Sequence, residues 1–89
     1  MSAIWRRRAG VKETPVDADL FLVLPDNGEI FHLNALGAAL WRLFAERSSA
    51  EAAGDALALA FPDLPRETID ADVQRFIGEL GQRALIDRV

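Results

Sequence analysis

The chain has no cysteine and only one histidine in 89 residues. This excludes disulfides, thiolate metal sites and a cysteine nucleophile. It also leaves His32 with no second histidine or cysteine to build a metal site with. No apolar run approaches the ~20 residues that span a bilayer. The first eight residues, MSAIWRRR, carry charge without a following apolar stretch, so they do not read as a secretory signal; a cytoplasmic location is expected. A phosphate-cradling glycine loop is also missing, because Gly78 and Gly81 fall within or at the end of a helical stretch, not at a strand-to-helix turn. Asp70 and Asp72, two apart on a helix, point to different sides and read as solvated carboxylates or local charge partners. With no nucleophile, base or metal constellation, the chain is expected to be no enzyme and to carry no cofactor. Basic charge is scarce too: the net charge is −4, and the only basic run is Arg6, Arg7 and Arg8. Duplex-DNA binders of this size normally present a basic face.

What is present is apolar and ordered. Hydrophobic residues make up 51% of the chain, enough for one small core at this length. Residues 1–10 read as a mobile tail and 11–89 as a single domain. A first strand is expected over 11–16, with Pro15 confining it to a sheet edge. Over 20–24 the alternation is clear: Leu20, Leu22 and Leu24 share one face, and Phe21 and Val23 the other. Pro25-Asp26-Asn27-Gly28 has the residues that accept positive φ in a hairpin turn, and 29–33 returns as the third strand.

Three helices are expected to follow. The first opens at Asn34, a strong N-cap, where alternation gives way to the helical spacing of Leu36, Leu40, Leu43 and Phe44; it runs to about 46. Ser48-Ser49-Ala50-Glu51 reads as a capping box, opening a helix to about 61 that buries Ala53, Ala56, Leu57 and Ala60. Gly54 inside it costs on the order of 1 kcal/mol relative to Ala. After a break at 62–65, with Pro65 near the first turn, the third helix continues to about 83 with Ile69, Val73, Phe76, Ile77 and Leu80 as its apolar stripe. The expected fold is α+β: a three-stranded antiparallel sheet followed by three helices, of winged-helix type, with helices two and three as its helix-turn-helix pair.

A strand joined to a helix without a loop leaves an exposed strand edge beside a helical layer, and such an edge accepts an added strand. The run Leu33-Asn34-x-x-Gly37-x-x-Leu40-Trp41, a capped helix near Ser49, and Asp72-Val73-x-x-Phe76-Ile77-x-x-Leu80 together resemble the PqqD family over residues 11–86. These are small winged-helix proteins, also called RiPP recognition elements. Two departures stand out: Glu46-Arg47 where the family usually turns on glycine, and Ala84-Leu85 where it usually ends Gly-Leu. The resemblance implies a peptide chaperone that binds the leader segment of a ribosomally made precursor peptide and presents it to a modifying enzyme, often a radical SAM protein. It implies strand addition at Glu29, Ile30, Phe31 and His32, and groove contacts from Asp72, Arg75, Phe76, Glu79 and Arg83.

Other readings compete. Trp41, Phe44, Phe76 and Leu80 also read as core. Arg75, Glu79 and Arg83, at i, i+4 and i+8, read equally as a solvated salt-bridge ladder. The Phe21/Val23 face has apolar surface to cover, by a partner or by a homodimer. A DNA-binding winged helix is the main rival on the same fold, but helix three carries Glu67, Asp70, Asp72 and Glu79 against Arg66, Arg75 and Arg83, which repels phosphate. A structural adaptor that binds no peptide is the second rival. Neither nucleic acid nor membrane is expected as a partner.

Overall fold

The computed structural model describes residues 3–89. Six strands and three helices follow in chain order: β1 (Ile4–Arg7), β2 (Lys12–Val16), β3 (Asp19–Val23), β4 (Ile30–Leu33), α1 (Ala35–Leu43), β5 (Ser48–Ser49), α2 (Ala50–Ala60), α3 (Arg66–Gln82) and β6 (Ile86–Arg88). They form a mixed α/β fold with two antiparallel three-stranded sheets, ordered β2-β3-β4 and β5-β1-β6.

The first sheet is the expected meander. Leu20, Leu22 and Leu24 are buried, as are Phe31 and Leu33 opposite them, while Phe21 and Val23 stay half-buried on the outer face. Gly28 takes φ +72° in the hairpin turn, and the Asn27 side chain accepts from the Glu29 N–H at 3.0 Å.

The second sheet corrects the expectation of a single sheet. Residues 4–7, expected in a mobile tail, pair with Ser48–Ser49 on one side and Ile86–Arg88 on the other; Met1 and Ser2, part of the same expectation, lie outside the described residues. Its strands of four, two and three residues are too short for a period to be counted, and only the fold brings them together. Trp5, beneath this sheet, packs against the core.

The helices follow the expected pattern with shifts at their ends. Asn34 caps α1, accepting from the Gly37 N–H at 2.9 Å. α1 ends at Leu43, short of the expected 46, where the amide of Phe44 reaches both Leu40 and Trp41. Ser49, not Ser48, caps α2, accepting from the Ala52 N–H at 3.1 Å. Glu51 therefore sits one position too early to reach back as a capping box, and serves as a first-turn carboxylate favourable to the helix dipole. Ala60 is exposed and Ala56 half-buried, so the buried side of α2 is Ala53, Gly54 and Leu57.

Gly54 has a packing reason. A Cβ there would stand 2.8 Å from Asp70 Oδ1 and 3.1 Å from an Arg66 nitrogen. Without it, Arg66 bridges Asp55 at 2.7 Å and Asp70 at 2.8 Å, tying α2 to α3. The side-chain hydrogen bonds to Asp70 and then Asp55 raise the Arg66 pKa.

α3 ends in a Schellman motif. The Leu85 N–H reaches the Leu80 carbonyl at 2.9 Å and the Ala84 N–H reaches Gly81 at 3.1 Å. Leu80 and Leu85 are both buried there. Ala84 takes φ +56°. The core beneath α1, α3 and the meander holds Trp41, Phe44, Leu40, Ile69, Val73 and Leu80. Among the described residues, no helix is long and apolar enough to cross a membrane.

Candidate functional site

The open feature of the meander is the outer edge of β4. In the sheet order β2-β3-β4, β4 pairs only with β3 among the described residues. The Leu24 N–H bonds the Glu29 carbonyl at 2.9 Å, which sets the phase of the ladder. Hydrogen-bonded pairs alternate in an antiparallel pair, so Phe31 and Leu33 direct their backbone groups to β3. The N–H and C=O of Ile30 and His32 therefore face away from it, along the bare edge.

Side chains join that edge to α3. Arg83 Nη1 lies 3.3 Å from Glu29 Oε2, and its guanidinium stands over the Phe31 ring, 4.9 Å from the centroid. Further along the helix, Phe76 is only 4% exposed. Its ring meets α1 at Gly37, where a Cβ would stand 2.8 Å from Phe76 Cζ and 3.1 Å from Leu33 Cδ2. Arg83, just past the end of α3, thus crosses to Glu29 and Phe31 at the start of β4, while Phe76 packs beside Gly37 and Leu33. Arg75 roofs the second ring as Arg83 roofs the first, 4.5 Å from the Phe76 centroid. Arg75 is also held by Asp72 at 3.4 Å and Glu79 at 3.6 Å.

The candidate residues thus divide. Glu29, Phe31 and Arg83 come together at one end, and Asp72, Arg75, Phe76 and Glu79 form a charged ladder over one ring. The ladder stops short of Arg83, which turns to Glu29 across 54 residues of sequence. Phe31 belongs largely to the core at 8% exposure. The Ile30 and His32 side chains lie on the other face of the sheet; only their backbones serve the edge. Ile30 is 66% exposed, and His32 stacks on Phe21 at 4.8 Å and meets Asp19 Oδ2 at 2.8 Å. The sequence reading missed Asp19; its signal was the register that sets His32 beside β3. It also missed the Arg8–Asp26 pair, two hydrogen bonds of 3.0 and 2.9 Å, which hold the Asp26 carboxyl below the usual carboxylate range. No group of histidine, cysteine and carboxylate side chains able to hold a metal occurs among the described residues.

The family model described as "Coenzyme PQQ synthesis protein D (PqqD)" matches residues 19–86. No curated protein matches. Two solved structures share the fold. One, TbiB1 in complex with the TbiA(beta) leader peptide, is 24% identical with TM-score 0.76, over 92% of this chain and 94% of that one. The other is the solution structure of the PqqD truncation of Methylobacterium extorquens PqqCD, described as a functional, stand-alone RiPP recognition element. It is 21% identical with TM-score 0.74, over 96% of this chain and 89% of that one.

Proposed function

The chain belongs to the PqqD family, and on that premise we propose that it is a non-catalytic chaperone for a ribosomally made precursor peptide. In this reading the leader segment adds as a strand along the outer edge of β4. It lies between that edge and α3 and is presented to a modifying enzyme such as a radical SAM protein. The observation that carries it is the outward backbone of Ile30 and His32, on a strand whose Glu29 and Phe31 are reached from the end of α3 by Arg83. Main-chain hydrogen bonds supply affinity in such additions, and pockets for alternate side chains supply specificity. Glu29, Ile30, Phe31 and His32 form the strand side; Asp72, Arg75, Phe76, Glu79 and Arg83 form the helix side. We read α2 and α3 as the helix-turn-helix pair of a winged-helix scaffold turned to peptide binding. The leader complex of the similarly folded TbiB1 supports the peptide-binding reading.

The test is an NMR titration with the leader of a short precursor encoded beside this chain's gene. Amides of residues 29–33 and of α3 should shift. If saturating leader moves neither set, the proposal fails. Ile30→Pro and His32→Pro each remove one outward N–H and should weaken binding by about 1 kcal/mol or more, the net worth of a hydrogen bond. His32→Ala, which keeps the N–H, should bind nearly as the parent does. Unchanged affinity in a folded proline variant would rule out strand addition.

A further inference from the structure

The arginines are unevenly placed, and their ion pairs divide in the same way. The second sheet together with the connection from the last turn of α1 to β5 (residues 4–9, 42–49 and 86–89) holds six of the ten basic residues and two of the fourteen acidic ones, a side-chain charge of +4. The remainder carries four basic and twelve acidic residues, a charge of −8. This region is contiguous: its strands pair with one another, and the Arg7 N–H bonds the Phe44 carbonyl at 2.8 Å. Outside it, Arg66, Arg75 and Arg83 are all in ion pairs. Inside it, Arg7 and Arg8 reach out to Glu13 and Asp26. Arg6, Arg42, Arg47 and Arg88, all exposed, have no carboxylate within 4 Å among the described residues. Arg6 also lines an open cavity of about 510 Å³ with Arg7, Arg8, Ala45 and Asp87.

We propose that this basic pole is a docking surface for a partner protein presenting a compact cluster of carboxylates. Guanidinium groups pair with carboxylates in a geometry that ammonium groups do not match, and complementary charge of this kind steers encounter and fixes orientation. The occupant is a compact acidic patch and not nucleic acid. The molecule extends only 36 × 33 × 18 Å, so a duplex carrying one charge per ~1.7 Å would run off the pole onto the −8 remainder. The pole shares no residue with the β4–α3 groove, so its test stands apart from leader capture.

The probe is a fluorescein-labelled oligoglutamate peptide of about ten residues, set beside a labelled DNA duplex of about 15 bp, at about 20 mM salt where exposed charges are least screened. The peptide should bind, and binding should weaken as salt rises. The triple variant Arg6→Gln, Arg47→Gln, Arg88→Gln should lose about tenfold in affinity. A control with the same change of −3 placed elsewhere (Lys12→Gln, Thr68→Glu, Gln74→Glu) should stay within about twofold of the parent. If the triple variant does not fold, Arg42→Gln, on the exposed side of α1, should still lose about twofold in affinity. Lys12→Gln, the same charge change away from the pole, should leave affinity unchanged; equal loss in the two would overturn the proposal. Absence of peptide binding at low salt, or equal loss in the variant and the control, would overturn the proposal. Tighter binding of the duplex would overturn it in favour of a nucleic-acid surface.

Discussion

Replacing Gly37 with alanine sets two magnitudes against each other. Gly37 lies inside α1, and at an open helical position Gly→Ala stabilises by about 1 kcal/mol, because glycine has more backbone freedom to lose. Here the new Cβ would stand 2.8 Å from Phe76 Cζ, 2.9 Å from Cε1 and 3.1 Å from Leu33 Cδ2. The Phe76 ring is buried, with Arg75 above it, so relief requires α1 or α3 to shift. Overpacking of this kind costs about 1–3 kcal/mol, and the net expectation is a loss of about 1 kcal/mol. Gly78, in the middle of α3, has nothing within 4 Å of an added Cβ, so Gly78→Ala should gain about 1 kcal/mol. The two substitutions, chemically the same, should therefore separate by about 2 kcal/mol. That is on the order of 8–16 °C in melting temperature for a domain of this size. Thermal and urea unfolding of both variants measure the gap. If Gly37→Ala stabilises as much as Gly78→Ala, the ring yields freely and close approach is not what this glycine serves.

Two further outcomes follow from the geometry. Ala84 holds φ +56° at the C′ position of α3, a conformation that costs a non-glycine residue about 1–2 kcal/mol. Ala84→Gly should therefore stabilise by about 0.5–1 kcal/mol after glycine's larger unfolded-state entropy is counted, read as a higher melting temperature; a lower one would refute the strain. For Asp26, the Arg8 hydrogen bonds lower the folded pKa below the unfolded value. The stability it contributes is present above the unfolded carboxylate pKa and disappears as pH falls through the folded one. Asp26→Asn should flatten that part of the pH–stability curve, and a side-chain carboxyl titration by NMR should place Asp26 below the ordinary aspartate range.

Much of the first sheet was legible because its signals are local. The Leu20, Leu22, Leu24 alternation spans five residues, the Asn27-Gly28 turn is adjacent to it, and the Asn34 cap marks where one period gives way to another. The second sheet had no such signal. Ile4-Trp5-Arg6-Arg7 and Ile86-Asp87-Arg88 offer no countable period, and their pairing joins the two ends of the chain. The same limit applied to the groove. Arg83 looked like the third rung of a helix ladder because Glu79 lies four residues before it, whereas Glu29 lies 54 residues away. The Ala84-Leu85 departure was visible, but its meaning was not, since a left-handed Schellman position is a property of the backbone.

The two edges of the first sheet are not equivalent. Leu20 and Leu22 turn their backbone groups toward β4, so on β2 it is Glu13 and Pro15, their partners, whose backbones face outward. Pro15 has no N–H, and Lys12 and Glu13 place charge beside it. That edge offers a single outward donor, while the β4 edge offers two. The sheet is better suited to growth at β4 than at β2. If the leader adds at β4 as proposed, one extended chain fills the better edge of each copy, and two copies meeting at β4 would leave only the proline-interrupted β2 edges for further growth.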